Sequence, residues 1–404
     1  MLAHLSPGIK QYLIITGNYW AFTLTDGALR MLVVLYFHQL GYAPLQIALL
    51  FLFYEFFGVV TNLVGGWLGA RLGLNRTMNI GLGLQLVALG MLLVPADWLT
   101  VVWVMAAQAL SGIAKDLNKM SAKSAIKTLV PEEAQGRLYH WVALLTGSKN
   151  ALKGLGFFVG ALLLTGLGFA GAILAMLLLL AGVWVGSLVL LKQELGRMQA
   201  KPKFRDIFSK SPAINILSLA RFFLFAARDV WFVVALPVYL AESLGWSHWL
   251  VGGFMASWIL AYGLVQTQAP RFTGKKQGRL PGAATIGGWG LALVFTPLYI
   301  LAGLYWGWPD DWVLISGLLV FGLLFAVNSS VHSYLVVRHA RSEGVSLDVG
   351  FYYMANALGR LVGTLLSGYV YQSAGLLACL AISAVFILLA ALIALALPAP
   401  AASR

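Results

Sequence analysis

Apolar runs of about 20 residues, enough to cross the hydrocarbon core of a bilayer as a helix, recur along the whole 404-residue chain. In lipid, each backbone N–H and C=O must be satisfied within the protein, so such runs read as spanning helices. Composition agrees: charged residues are 10% of the chain and hydrophobic residues 60%, whereas soluble domains hold about 25% charged residues. The start, MLAHLSPGIK, has little positive charge and is followed by a run long enough to span, so no cleavable signal is expected. The single cysteine, Cys379, excludes an intramolecular disulfide and falls in an apolar run where it reads as packing.

Twelve helices are expected, near residues 11–37, 44–69, 77–95, 99–126, 138–164, 170–191, 214–241, 248–269, 282–303, 311–337, 349–373 and 376–397. Prolines such as Pro44, Pro95, Pro131, Pro212 and Pro309 punctuate their ends, while Pro237 falls inside the seventh and should kink it. Alternate loops are basic. With Lys10 and Arg404 they hold eighteen Lys and Arg, and the loops between them hold none. The positive-inside rule then places both termini in the cytoplasm. The net charge of +13 is mostly this topology and needs no nucleic-acid partner.

The chain repeats itself at half length. Asp26, Tyr36 and Leu40-Gly41-Tyr42 recur as Asp229, Tyr239 and Leu244-Gly245-Trp246, and Asn150-Ala151-Leu152 recurs as Asn356-Ala357-Leu358. An all-α membrane protein of two pseudo-symmetric six-helix bundles, residues 1–191 and 214–404, joined by a basic cytoplasmic linker at 192–213, resembles the major facilitator architecture.

Thirteen charged side chains lie inside the expected spans. Nine are basic (Arg30, Lys115, Lys119, Lys123, Lys149, Lys153, Arg221, Arg228 and Arg360), and only Asp26, Glu55, Asp116 and Asp229 oppose them. Each charge at bilayer depth costs about 2.5–3.5 kcal/mol on insertion scales. Four acids leave five bases over, and a multiply charged anion is the simplest thing that neutralises them. A transporter of anions is therefore expected.

On helix 1, Thr16, Tyr19, Thr23, Asp26 and Arg30 share one face, and Asp26 with Arg30 can pair as a structural bridge, a gate or part of an anion site. Lys115, Lys119, Lys123 and Lys127 repeat every four residues on helix 4, where Asp116 can offset one of them. Lys149, Asn150 and Lys153 follow on helix 5, and Arg360 on helix 11. Arg228 and Asp229 are adjacent, so they point about 100° apart and are not expected to face each other. Glu55 lies among aromatic residues, a setting that suits a proton carrier or a carboxylate neutralised by a lysine. The anion is assigned to Lys115, Lys119, Lys149, Asn150, Lys153, Arg228 and Arg360. Gating or proton coupling is assigned to Asp26, Arg30, Glu55, Asp116 and Asp229. Gly65, Gly69 and Gly73, Gly156 and Gly160, and Gly359 and Gly363 are spaced for close helix packing.

Two further resemblances stand on longer motifs. Residues 66–76, GWLGARLGLNR, resemble the facilitator loop motif between helices 2 and 3, with Ala70 where that motif carries an aspartate. Residues 16–34 (TGNYWAFTLTDGALRMLVV), 111–127 (SGIAKDLNKMSAKSAIK), 145–154 (LTGSKNALKG) and 223–240 (FLFAARDVWFVVALPVYL) resemble the ArsJ-type organoarsenical efflux permeases, a likeness that covers nearly the whole length. It implies export of 1-arseno-3-phosphoglycerate through a bacterial inner membrane, and so arsenate resistance. It also implies a functional partnership with the glyceraldehyde-3-phosphate dehydrogenase that makes this compound from arsenate. No cofactor is implied.

Two other readings compete. An organophosphate/phosphate antiporter of the same fold would use Arg30 and Arg228. An integral-membrane transferase would need a positioned nucleophile, base or metal cluster, yet the six histidines are scattered without ligand spacing.

Overall fold

The structure is a computed structural model that describes residues 7–42, 50–129, 135–191, 194–199, 202–273 and 280–398. Pro44 and Pro131, read above as helix punctuation, lie outside the described residues. Among the described residues all regular structure is helical, and seven helical segments are long and apolar enough to cross a membrane.

The first helices are α1 (Pro7–Gln39), α2 (Leu52–Leu72), α3 (Leu74–Met91) and α4 (Val101–Leu129). A continuous helical segment, Gln135–Leu190, follows. Its 56 residues would measure about 84 Å if straight, far beyond a bilayer. It breaks at Gly168, whose φ of 69° is open to glycine at little cost, and so forms α5 (135–167) and α6 (169–190). Helices α7 (Pro212–Phe232), α8 (Ala235–Glu242), α9 (His248–Phe272), α10 (Ala283–Tyr305) and α11 (Asp310–His339) come next. The last segment, Val345–Leu395, breaks in the same way at Gly375, with φ of 76°, into α12 (345–374) and α13 (376–395).

The expected kink at Pro237 is present. Proline has no N–H to donate to Val233, four residues earlier, and its ring crowds that carbonyl. The helix duly stops at Phe232 and resumes at Ala235. The amide of Ala235 finds the Ser367 hydroxyl of α12 at 3.1 Å instead.

The chain divides into two compact units. Unit 1 comprises Met1–Ala134, Ser148–Phe208 and Ala340–Met354, and unit 2 comprises Gln135–Gly147, Ser209–His339 and Ala355–Arg404. In unit 1, α1 and α5 meet backbone to backbone: a Cβ on Gly27 would lie 2.6 Å from the Lys153 carbonyl oxygen, and one on Gly160 would strike the Ala28 carbonyl. In unit 2, α7 and α12 meet by the same device, with Gly359 against the Phe222 carbonyl and Gly363 against Ala226. The core of unit 2 is aromatic. Trp231, Phe232, Trp258, Phe321 and Phe325 are buried together, and Trp258 donates its indole N–H to Leu318 O at 2.9 Å.

Ala70, in place of the motif's aspartate, offers only its backbone, and the segment after α6 uses it. Met198 N donates to Ala70 O at 2.9 Å, Leu74 N donates to Leu195 O at 2.8 Å, and the Trp67 indole donates to Pro202 O at 3.1 Å. Trp67 also packs edge-on against Phe204 at 5.8 Å and carries the Arg71 guanidinium 5.0 Å from its ring centroid. Trp67→Ala should free this segment from α2, so that trypsin cuts at Arg197, Lys203 and Arg205 about tenfold faster. An unchanged cleavage rate would show that the backbone contacts alone hold it.

Candidate functional site

In unit 1, α1, α2 and α4 bring charged groups together around one tyrosine. Tyr54, fully buried on α2, donates its hydroxyl to Asp26 of α1, 2.8 Å from Oδ1 and 3.0 Å from Oδ2. Its ring carries two cations: the Arg30 guanidinium 4.0 Å and the Lys115 ammonium 3.7 Å from the centroid. Such contacts are attractive because the ring face is electron-rich. Arg30 also donates to Glu55 Oε1 at 2.8 Å. On α4, Asp116 holds Lys119 at 2.5 Å and Lys115 at 3.8 Å.

One and two turns further along α4, Lys119 and Lys123 flank Tyr353, with their ammonium groups 5.0 and 4.6 Å from its centroid. Lys123 donates to the Tyr353 hydroxyl at 2.5 Å. Tyr353 belongs to the first part of α12, which lies in unit 1. Lys149, Asn150 and Lys153 are half-buried on α5, which passes Gly27, the neighbour of Asp26, with the Lys153 carbonyl.

In unit 2 a single carboxylate serves two arginines. Asp229 has no exposed side-chain surface and accepts from Arg228 Nε at 2.6 Å and from Arg360 Nε at 3.2 Å. Arg221, two turns earlier on α7, is 3% exposed. It donates Nε to Asn356 Oδ1 at 2.8 Å and Nη1 to the Ser329 hydroxyl at 3.0 Å and carbonyl at 3.1 Å. Gln266 of α9 donates to the same Ser329 hydroxyl at 3.3 Å. His332 is buried on α11, where its Nδ1 has no partner among the described residues.

The model of the Major Facilitator Superfamily matches residues 15–306 and 217–404, two overlapping stretches that together take in nearly all of the chain. This chain belongs to the Major Facilitator Superfamily. Its helices match solved facilitators closely in shape. The crystal structure of the human organic anion transporter MFSD10 (TETRAN) superposes with a TM-score of 0.77 at 18% identity, covering 96% of this chain and 100% of that one. A bacterial homologue of the iron transporter ferroportin, in its outward-facing state, gives 0.74 at 15% identity, covering 95% and 98%. A variant of the E. coli fucose:proton symporter FucP gives 0.72 at 13%, covering 96% and 98%. At these identities the likeness shows the fold alone. A search of curated proteins finds no match. Family and fold together make the protein a multi-pass membrane transporter rather than an enzyme.

Within this facilitator, two expectations about side chains need correction. Asp26 and Arg30 share a helix face but do not pair, because the Glu55 carboxylate reaches Arg30 from α2 and the Tyr54 hydroxyl reaches Asp26. Arg228 and Asp229 do bond, although their Cα–Cβ bonds diverge. The arginine side chain is long enough to fold back, and a buried carboxylate draws it. Glu55 pairs with Arg30, and Asp116 contacts both Lys119 and Lys115 while its single charge offsets only one of them. Sequence reasoning also passed over Tyr54, Tyr353 and the Arg221–Ser329–Asn356 group. Tyr54 directly precedes Glu55 in an aromatic run, which read only as the apolar setting of that carboxylate.

Proposed function

We propose that this transporter exports a multiply charged organic anion, 1-arseno-3-phosphoglycerate, across a bacterial inner membrane and so confers arsenate resistance. In this reading twelve spans form two six-helix bundles with both termini in the cytoplasm. Glyceraldehyde-3-phosphate dehydrogenase supplies the substrate. The anion is held by cations drawn from Lys115, Lys119, Lys149, Lys153, Arg228 and Arg360, with Asn150 beside them.

The observation that carries this reading is how the carboxylates are used. Of the thirteen charges inside the spans expected from the sequence, unit 1 holds six bases (Arg30, Lys115, Lys119, Lys123, Lys149 and Lys153) against Asp26, Glu55 and Asp116, and unit 2 holds Arg221, Arg228 and Arg360 against Asp229. Three of the four carboxylates are already engaged by cations, two of them by a pair each. Positive charge is therefore in excess in each unit, and a multiply charged anion is suited to offset it. Arg and Lys bind phosphate and its analogues through charge-assisted hydrogen bonds.

The test uses everted membrane vesicles supplied with labelled arsenate, glyceraldehyde-3-phosphate, NAD and the dehydrogenase. Arsenic should accumulate only when the dehydrogenase system is complete. No accumulation above empty vesicles, with the protein shown to be present, rejects the arsenical. Exchange of organophosphate for phosphate in the same vesicles would then identify the antiporter. Lys149→Gln and Arg360→Gln should each lower accumulation by about tenfold or more, the usual effect of losing a buried charge contact, at unchanged protein level. A variant that transports normally removes its residue from the site.

A further inference from the structure

We propose that Tyr19, Lys119 and Lys123 form a subsite for a tetrahedral oxyanion, a phosphate or arsenate group, and that Tyr353 occupies the two lysines until the anion displaces it. The inference rests on the reading that this transporter carries such an anion. It adds the residues that recognise one end of the cargo and the side chain that competes for them.

Lys119 and Lys123 are one turn apart on α4, so their ammonium groups share a face and repel each other. Both residues are buried, and both meet Tyr353, whose ring centroid lies 5.0 Å from the Lys119 ammonium and 4.6 Å from that of Lys123. The Tyr353 hydroxyl accepts from Lys123 at 2.5 Å. A ring face and a neutral phenol are weak partners for an ammonium group, because an ionised oxygen accepts about twice as strongly. Asp116 bonds Lys119 at 2.5 Å and lies 3.8 Å from Lys115, so its single charge is shared. Tyr19 of α1 supplies a second observation. It is 1% exposed, and its hydroxyl has no hydrogen-bond partner among the described residues. It lies within electrostatic reach of both Tyr353 and Asp116, which places that O–H beside the lysines. A buried hydroxyl without an acceptor is costly, and a ligand oxygen that accepts from it removes the cost.

Charge selects the class of ligand. Between residues 115 and 123, α4 carries three lysines and one aspartate, which leaves two positive charges. A phosphate group carries about 1.5 to 2 negative charges at neutral pH, close to that surplus. Its tetrahedral oxygens can also accept from donors on α1 and α4 at once, which the two oxygens of a carboxylate do less well. When the Tyr353 ring turns aside, its contact with Lys123 breaks and an anion oxygen takes its place. Lys119, Lys123 and Tyr19 then donate to one group, and no covalent bond changes. Tyr353 thus keeps the two lysines partnered when no anion is bound. It also sets a threshold, since a singly charged ion gains too little to displace it.

Binding of radiolabelled inorganic phosphate to the purified full-length protein tests this without transport. Tyr19→Phe and Lys123→Gln should each weaken binding by about tenfold or more, the effect of losing a hydrogen bond to a charged group. Tyr353→Leu keeps bulk but removes the ring face and the hydroxyl, so it should strengthen binding by about tenfold. Opposite signs are the readout, because merely structural roles would weaken binding or leave it alone in all three variants. Tyr139→Phe, which loses a buried hydroxyl bonded to Thr273 in unit 2, should bind phosphate as the wild type does. Arsenate should displace the label, and acetate should not. Competition by 3-phosphoglycerate assigns the subsite to the phosphoryl end of a larger anion, and its absence assigns it to free phosphate; both leave the subsite supported. No phosphate binding to the wild type overturns the proposal, as does unchanged affinity in Tyr19→Phe and Lys123→Gln or weaker binding in Tyr353→Leu. Each variant is read on its own, so one that does not fold leaves the others decisive. Arsenical transport in vesicles can fail while phosphate binding follows these variants, and the reverse.

Discussion

Asp229→Asn should cost this protein most of its folded yield and all measurable transport. The carboxylate has no exposed surface and binds two guanidinium groups at 2.6 and 3.2 Å. Asparagine keeps the shape and can still accept a hydrogen bond, so the change isolates charge. Removing one member of a buried ion pair costs about 3–5 kcal/mol. Arg360, with 32% of its side chain exposed, recovers some hydration, which places the loss toward about 3 kcal/mol. Stabilities of about 5–15 kcal/mol leave little room for that. Detergent-solubilised variants compared by size exclusion and thermal melting will show it. The double variant Asp229→Asn with Arg228→Gln should melt closer to the wild type, since it removes one of the stranded charges. If Asp229→Asn melts like the wild type, the two arginines must be solvated or paired elsewhere.

Asp26→Asn makes the contrast. It breaks no ion pair and leaves an acceptor for the Tyr54 hydroxyl, so the same melting experiment should show a change of less than about 1 kcal/mol. Two buried aspartates at matching places in the repeat thus differ in what their neighbours supply, and only the three-dimensional arrangement reveals it.

That difference marks where the sequence stops being legible. Helix positions, the breaks now seen at Gly168 and Gly375 and the interruption before Pro237 follow from apolar length and backbone chemistry, which are local properties. The glycine spacings at Gly156 and Gly160 and at Gly359 and Gly363 read correctly as packing seams for the same reason. Which charges pair is not local. Helical spacing puts Asp26 and Arg30 on one face, but it says nothing of Tyr54 and Glu55, which arrive from another helix and outcompete that pairing. Likewise, the direction of a Cα–Cβ bond at Arg228 does not limit where a guanidinium several bonds away ends up. The surplus of basic residues was countable from the sequence; the sharing of Asp116 and Asp229 between two cations each was not.

Gly160→Leu and Gly359→Leu should be as damaging as Asp229→Asn, for a steric rather than an electrostatic reason. At Gly160 a Cβ would strike the Ala28 carbonyl, with the Ala28 Cα at 2.9 Å, and at Gly359 it would strike the Phe222 carbonyl, with the Phe222 Cα at 2.9 Å. The obstructing atoms are helical backbone and cannot rotate aside as a side chain would. The helices must separate, and every contact along the α1–α5 or α7–α12 seam loosens with them. Overpacking a tight interior costs about 1–3 kcal/mol when side chains can adjust, so backbone collisions should exceed that range. Even alanine should be harmful at both positions, since the clash begins at Cβ. Gly17, where an added Cβ would meet open space, is the control: Gly17→Ala should fold and transport normally, and gain slightly from higher helix propensity. Melting temperatures of the two alanine variants and this control, measured side by side, separate a packing seam from a mere preference for small residues. If Gly160→Ala and Gly359→Ala melt with the control, the close approach of these helices is not required for the fold.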